Sequence, residues 1–139
     1  MKIDVLTLFP EMFSGVLGAS MLGRAQERGI LEFGLHNIRE YSQSKHKNTD
    51  DYPFGGGAGM VMMPQPIFSC LDTVDRDHTA LRIVLTPRGE TLTTAMARDL
   101  ARQEHLLLLC GHYEGIDERV IEELQPEEIS VCLLYTSPS

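Results

Sequence analysis

The chain is expected to adopt an α/β fold, a largely parallel sheet flanked by helices. Three observations lead there. Short apolar runs alternate with longer stretches whose apolar residues recur every three or four positions, and strands that alternate with helices build parallel sheets. His105 to Cys110 reads His-Leu-Leu-Leu-Leu-Cys, the apolar density of a central strand covered on both faces. Prolines and glycines punctuate the junctions, as at Pro10, Gly29 and Gly111.

The elements follow in order. Lys2 to Phe9 reads as a buried strand. Pro10 suits the first turn of a helix, where its missing N–H costs nothing. That helix is expected to run to Arg28, with Met12, Phe13, Val16, Leu17, Leu22 and Ala25 on its apolar face and Gly29 as its terminator. Ile30 to His36 is a second strand. Asn37 to Met63 has no sustained period, and a loop that long inside a compact domain is usually functional. Pro64 to Val74 is a helix with Ile67, Phe68, Leu71 and Val74 on one side. Leu81 to Thr86 is a strand broken by Pro87-Arg88-Gly89. Thr91 to Gln103 is a helix, with Leu92, Met96 and Leu100 spaced by four. The central strand ends at a Gly111–Gly115 turn. Asp117 caps a helix through Leu124, and Glu127 opens a last strand.

Composition narrows the function. At 139 residues the chain fits one domain, long enough to bury about two thirds of its unfolded surface. The stretch Met1-Lys2-Ile3-Asp4-Val5 is no signal peptide, because Asp4 and Thr7 interrupt it and no small-residue cleavage site follows. No apolar run approaches the ~20 residues of a membrane span, so the expected location is the cytoplasm. Cys70, Cys110 and Cys132 are far apart and odd in number, which argues against disulfides and zinc. Cys110 is expected to be a buried thiol. The net charge of −8 argues against wholesale nucleic-acid binding. Its distribution is uneven: residues 111–139 hold seven acids against Arg119 alone, net −6, leaving −2 for residues 1–110. A local basic surface at Arg39, Lys45, His46 and Lys47 remains open.

In parallel α/β sheets ligands sit beyond the carboxyl ends of the strands. Three loops are expected there: Asn48–Gly59, Thr86–Gly89 and Gly111–Gly115. The first holds Gly55-Gly56-Gly57-Ala58-Gly59, and glycine so clustered implies positive φ or close approach of another group. It matches neither standard phosphate-binding pattern. A linker is the plain alternative, though Met60-Val61-Met62-Met63 beyond it looks buried. Asp50 and Asp51 are either acceptors for a nucleobase or a solvated turn pair. Gly111-His112-Tyr113-Glu114-Gly115-Ile116-Asp117 offers backbone polar groups to an adenine or ribose edge, or is simply the capped start of a helix. His112 has no second ligand at metal spacing. Thr86-Pro87-Arg88-Gly89 is by itself a Pro-Gly turn.

Taken together, these segments resemble the bacterial tRNA (guanine-N1)-methyltransferase family, the TrmD type. The matching residues are Leu8-Phe9-Pro10-Glu11-Met12-Phe13, Gly23-Arg24-Ala25, His46 to Asp51, Phe54-Gly55-Gly56-Gly57 and Gly59-Met60. Met62-Met63, Gln65-Pro66 and Cys110 to Arg119 complete the set. The likeness covers about residues 1–130 in one order. It implies a SPOUT-class trefoil-knot fold, a homodimer, S-adenosylmethionine as methyl donor, and N1 of the guanine 3′ of the anticodon in tRNA as acceptor. It implies that Leu85, Thr86 and Pro87, with Gly111, Tyr113, Glu114 and Gly115, line the donor pocket. His46, Asn48, Asp50, Asp51, Gly57 and Gly59 are then placed against tRNA and the target guanine, and Glu114 is associated with a magnesium ion.

After Ser130 the likeness stops. The family continues with an Ile-Gly-Asp-Tyr-Val-Leu-type segment, where this chain reads Val131-Cys132-Leu133-Leu134-Tyr135-Thr136-Ser137-Pro138-Ser139. Residues 1–130 are therefore expected to be a truncated methyltransferase domain with an incomplete knot, and 131–139 a foreign or frame-shifted tail. The family's aspartate base lies in the replaced part, so the catalytic base is unassigned and the piece itself is expected to be inactive. Two rivals remain: an α/β nucleotide-binding enzyme of another class, such as a hydrolase, and a non-catalytic RNA-binding module. Neither explains the ordered motif set.

Overall fold

The computed structural model describes residues 1–43, 50–51, 61–111 and 116–131. Strand β1 (Lys2–Thr7) leads to α1 (Glu11–Leu17), α2 (Ser20–Glu27) and β2 (Glu32–Asn37). A 3₁₀ turn (Ile38–Tyr41) follows, then two short strands, β3 (Asp50–Asp51) and β4 (Val61–Met62). The chain continues through α3 (Pro64–Val74), β5 (Leu81–Thr91), α4 (Thr94–Ala101), β6 (His105–Cys110), α5 (Glu118–Leu124) and β7 (Glu127–Ser130).

Five strands form one sheet in the order β2-β1-β6-β5-β7. Every pairing in it is parallel. The expected α/β architecture is therefore present, with the Leu-rich β6 at its centre. β1→β2 and β5→β6 step one way along the sheet, β2→β5 and β6→β7 the other. Right-handed crossovers then assign α1, α2 and α4 to one face and α3 and α5 to the other. Packing agrees where it is dense. Ile67, Cys70 and Leu71 of α3 and Val120 of α5 bury against Leu6, Leu107 and Leu109. Met96 and Leu100 of α4 pack against Ile83, Leu106 and Ile129.

Several element boundaries differ from expectation. The single helix over Pro10–Arg28 is two helices, because Gly18 closes α1 and Ala19 is extended. The close fit of Gly23 on Gly18 fixes this break: a Cβ on Gly23 would stand 2.5 Å from the Gly18 carbonyl oxygen. Neither helix buries a residue. Of the expected apolar face, Met12 and Val16 are 72% and 66% exposed, whereas Phe13, Leu17, Leu22 and Ala25 are half-buried, so the face is only partly covered by the described residues. Gly29 does end the helix, at φ +74°. The second strand is Glu32–Asn37 rather than Ile30–His36, and Asn37–Met63 contains the 3₁₀ turn and a β3–β4 pair. Helix α4 starts at Thr94, since the Thr93 hydroxyl caps the Met96 amide at 3.1 Å. Leu92 therefore precedes the helix instead of sharing its face.

The amino end of the sheet is held by polar groups. Asp4 is 1% exposed. Its two oxygens each lie 2.7 Å from an imidazole Nε2, of His36 on β2 and of His105 on β6. His105 Nδ1 is 3.0 Å from the Thr79 hydroxyl. The neighbouring position is Gly34, where a Cβ would come within 2.3 Å of Asp4 Oδ1 and 2.9 Å of His36 Nε2. Asp75, also buried, accepts the Thr79 amide at 2.9 Å and Arg82 Nε at 3.1 Å. An open apolar groove of about 880 Å³ lies at this same end, between Met1, Ile30, Leu31, Leu100 and Glu104. Leu92, just after β5, also lines it.

Two outcomes follow from this end. Gly34→Ala should lower unfolding stability by about 1–3 kcal/mol through overpacking. Gly15→Ala, where a Cβ meets nothing within 4 Å, should raise it by about 0.5–1 kcal/mol, as in any exposed helix interior. Urea titration of both variants checks this, and equal effects would contradict the packing. Burial pushes the Asp75 carboxyl up, but the Arg82 hydrogen bond, the Thr79 and Ala80 amides and the Arg82 charge hold it below its ordinary value. A carboxyl depressed in the folded state stabilises above its unfolded value and loses that contribution as pH falls. Stability should therefore drop as the solution is acidified below about pH 4, and Asp75→Asn should flatten that limb in urea titrations from pH 3 to 7.

Candidate functional site

The carboxyl rim of the sheet is assembled from chain that the sequence separates widely. Antiparallel pairing sets Asp50 against Met62 and Asp51 against Val61. The glycine-rich excursion thus begins and ends at one place. Met62 is wholly buried in the main core, and Met63 caps α3 immediately after it. Met62 also pairs in parallel with Ile116, and the Asp117 amide donates to the Met62 carbonyl at 3.2 Å. Ile116 packs against the main core and comes back towards Gly111, where a Cβ would sit 3.3 Å from Ile116 Cγ1. The base of the first loop and the closing end of the Gly111–Gly115 loop are therefore joined.

Asp117 is the fixed point of this corner. Its Oδ1 accepts the Arg119 amide and Arg119 Nε, each at 2.9 Å, and its Oδ2 accepts Arg119 Nη2 at 2.7 Å. These hydrogen bonds and the Arg119 charge hold the Asp117 carboxyl below its ordinary value against the opposing effect of burial. The expected cap on α5 is thus present. The same contacts occupy Asp117, so it is not a free base.

The third loop departs from expectation. Pro87-Arg88-Gly89 does not end the strand, and β5 runs on to Thr91. Ile129 of β7 pairs with both Leu85 and Glu90. Beyond that, Thr91 pairs with Ser130 and the Leu92 amide donates to the Ser130 carbonyl at 2.9 Å. Between these two pairings the chain lies directly on β7. A Cβ on Gly89 would stand 2.5 Å from the Glu128 carbonyl carbon and 2.6 Å from the Ile129 nitrogen, which is why glycine follows Arg88. Arg88 Nε donates to Glu128 at 3.0 Å, and Nη2 reaches both oxygens of Glu118 at 3.2 and 3.1 Å. The Thr86–Gly89 segment is thereby tied to the start of α5.

Of the residues the sequence nominated, Leu85 and Thr86 are half-buried, and Pro87 and Gly111 are exposed. The structure gathers them with β3 and β4 at one rim. Asp50 and Asp51 form the short strand β3 rather than a turn. His46, Asn48, Gly57, Gly59, Tyr113, Glu114 and Gly115 lie outside the described residues. Among the described residues no group of three or more His, Cys, Asp and Glu side chains could hold a metal ion, and no helix is long and apolar enough to cross a membrane. Cys70 is buried, whereas Cys110, expected to be buried, is only partly so. Burial pushes their thiols up to about 12 and about 11, Cys70 with help from the nearby Asp4 charge, so both are poor nucleophiles. The pairing of Arg88 with Glu118 and Glu128 has no local signature in the sequence. The acid excess after Gly111 is the nearest signal for it.

The family model described as tRNA (guanine-1)-methyltransferase TrmD matches residues 1–134. A tRNA (guanine-N(1)-)-methyltransferase from Ruminiclostridium cellulolyticum is 55% identical over 133 residues, 94% of this chain and 57% of that protein. A protein of the same name from Bacillus subtilis is 56% identical over 133 residues, 94% of this chain and 55% of its own. The chain thus spans about half the length of the curated relatives it matches. Its fold is similar to the crystal structure of a tRNA (m1G37) methyltransferase from Aquifex aeolicus, with TM-score 0.83 and 31% identity over 96% of this chain and 60% of that one.

The rim geometry makes its own demands. Gly89→Ala places a methyl in the β7 backbone and should cost about 1–3 kcal/mol or more. Asp117→Ala removes a helix cap and should cost about 1–2 kcal/mol. Chemical denaturation of each variant measures both, and a neutral Gly89→Ala would contradict the close approach.

Proposed function

Because the chain belongs to the TrmD family of tRNA (guanine-N1)-methyltransferases, we propose that its carboxyl rim seats S-adenosylmethionine beside a tRNA guanine for methylation at N1. One observation carries this reading: the Met62–Ile116 pairing, closed by the Asp117 amide on the Met62 carbonyl. It supports a shared wall between the loop assigned to tRNA and the loop assigned to the donor.

The donor side is formed by Leu85, Thr86 and Pro87 with Gly111, Tyr113, Glu114 and Gly115. Gly111 directly follows the central strand, exposed and without a side chain, which suits the approach of a flat base edge. When bound, S-adenosylmethionine supplies an already activated methyl group, so the protein's contribution is mainly alignment. The acceptor side is formed by His46, Asn48, Asp50, Asp51, Gly57 and Gly59. It receives the guanine 3′ of the anticodon after that base leaves the stack, at a cost of a few kcal/mol. Guanine N1 carries a proton that a base must remove. Asp117 is held by Arg119 and is not that base. Glu114 is the residue this reading links to magnesium. In this reading the piece carries the first part of a SPOUT-class trefoil-knot domain, with the knot incomplete. The acting form is a cytoplasmic homodimer.

Two measurements test the proposal. Isothermal titration of the chain with S-adenosylmethionine should give saturable binding, abolished in Gly111→Trp with the circular dichroism unchanged. A chimera joining residues 1–130 to the remainder of the Bacillus subtilis relative should methylate tRNA carrying guanine, and not adenine, 3′ of the anticodon. Donor binding unchanged in Gly111→Trp, or an inactive folded chimera, would refute it.

A further inference from the structure

We propose that Arg88 is a positioning residue: it clamps the Thr86–Pro87 segment to the corner that follows Gly111–Gly115, setting the spacing of the two donor-lining loops. The inference rests on the donor site described above and adds a residue to it.

Arg88 stands one position after Pro87 and one before Gly89, where the backbone already lies on β7. Its guanidinium is divided between two elements. Nη2 reaches both oxygens of Glu118, in the first turn of α5, at 3.2 and 3.1 Å, and Nε reaches Glu128 on β7 at 3.0 Å. Glu118 lies two residues after Ile116, the residue that closes the second loop onto Met62. One planar group therefore fixes three segments: the β5 crossing, the start of α5 and the edge of β7. Exposed ion pairs add little to stability, and the Arg88 and Glu118 side chains are each 56% exposed. A network that contributes little stability yet joins two loops is suited to geometry. Lysine offers a single point charge and cannot reproduce the division. Surface arginines pairing within one helix, such as Arg102 with Asp99, span no such gap.

The test compares the parent chain with Arg88→Met, Arg88→Lys and, as a control, Arg102→Met. Amide hydrogen exchange is read over residues 86–92 and 116–119. S-adenosylmethionine affinity is read by titration, and melting temperature is followed in parallel. Arg88→Met should speed exchange in both segments by about three- to fivefold, because local opening costs less without the clamp. It should weaken the donor by about tenfold through lost pre-organisation, with β1 exchange and the melting temperature held near the parent's. Arg88→Lys should recover only part of each effect, and Arg102→Met should match the parent. Unchanged exchange in Arg88→Met overturns the proposal. So does faster exchange with parental donor affinity. A parent that takes no donor counts against the donor site itself, and the exchange result then decides the clamp alone.

Discussion

The Met62 carbonyl, taken by the Asp117 amide, is the contact on which the rim depends. Met62 is buried beneath α3, so its backbone position is fixed by the core rather than by a loop. Ile116 is drawn to it by strand pairing and by its own apolar packing. A buried backbone carbonyl needs a partner, and here the partner comes from the far end of the chain. The described ends of the two loops meet at this point, on a seam anchored in the core. Catalytic and binding residues are commonly carried on such loops above a fixed scaffold.

The second constraint is steric. β5 pairs with β7 before and after residues 86–89, and this requires the chain to cross β7 at backbone distance. Only a residue without a side chain fits at position 89. The preceding arginine then finds acidic partners on both elements beneath it. Glycine for approach and arginine for spacing are adjacent because the crossing needs both. The polar cluster around Asp4 ties β1 to β2 and β6 through His36 and His105. The rim itself shares the main core through Met62, so stability and the site overlap there, while ligands sit at the strand ends.

Much of this was legible in the residues. The apolar density of β6, the Asp117 cap, the last strand at Glu127 and the α3 helix are local signals, and each held. What failed was non-local. Gly18 looked tolerable inside a helix because its close partner, Gly23, acts across the break. Pro87-Arg88-Gly89 reads as a turn when nothing in the segment reveals β7 beneath it. The β3–β4 pair spans two residues a side, too short for any period to show. The residues themselves therefore leave Asp50 and Asp51 open between nucleobase acceptors and a solvated turn pair. The ion pairs of Arg88 were invisible for the same reason: their partners lie 30 and 40 positions away.

The most direct test of the central claim is an isotope-edited NOE measurement on the labelled chain, read at Met62 and Ile116. The account predicts cross-strand NOEs between these residues and a slowly exchanging Asp117 amide. Their absence, with the Asp117 amide exchanging as in an unfolded peptide, would separate the two loops and contradict the site.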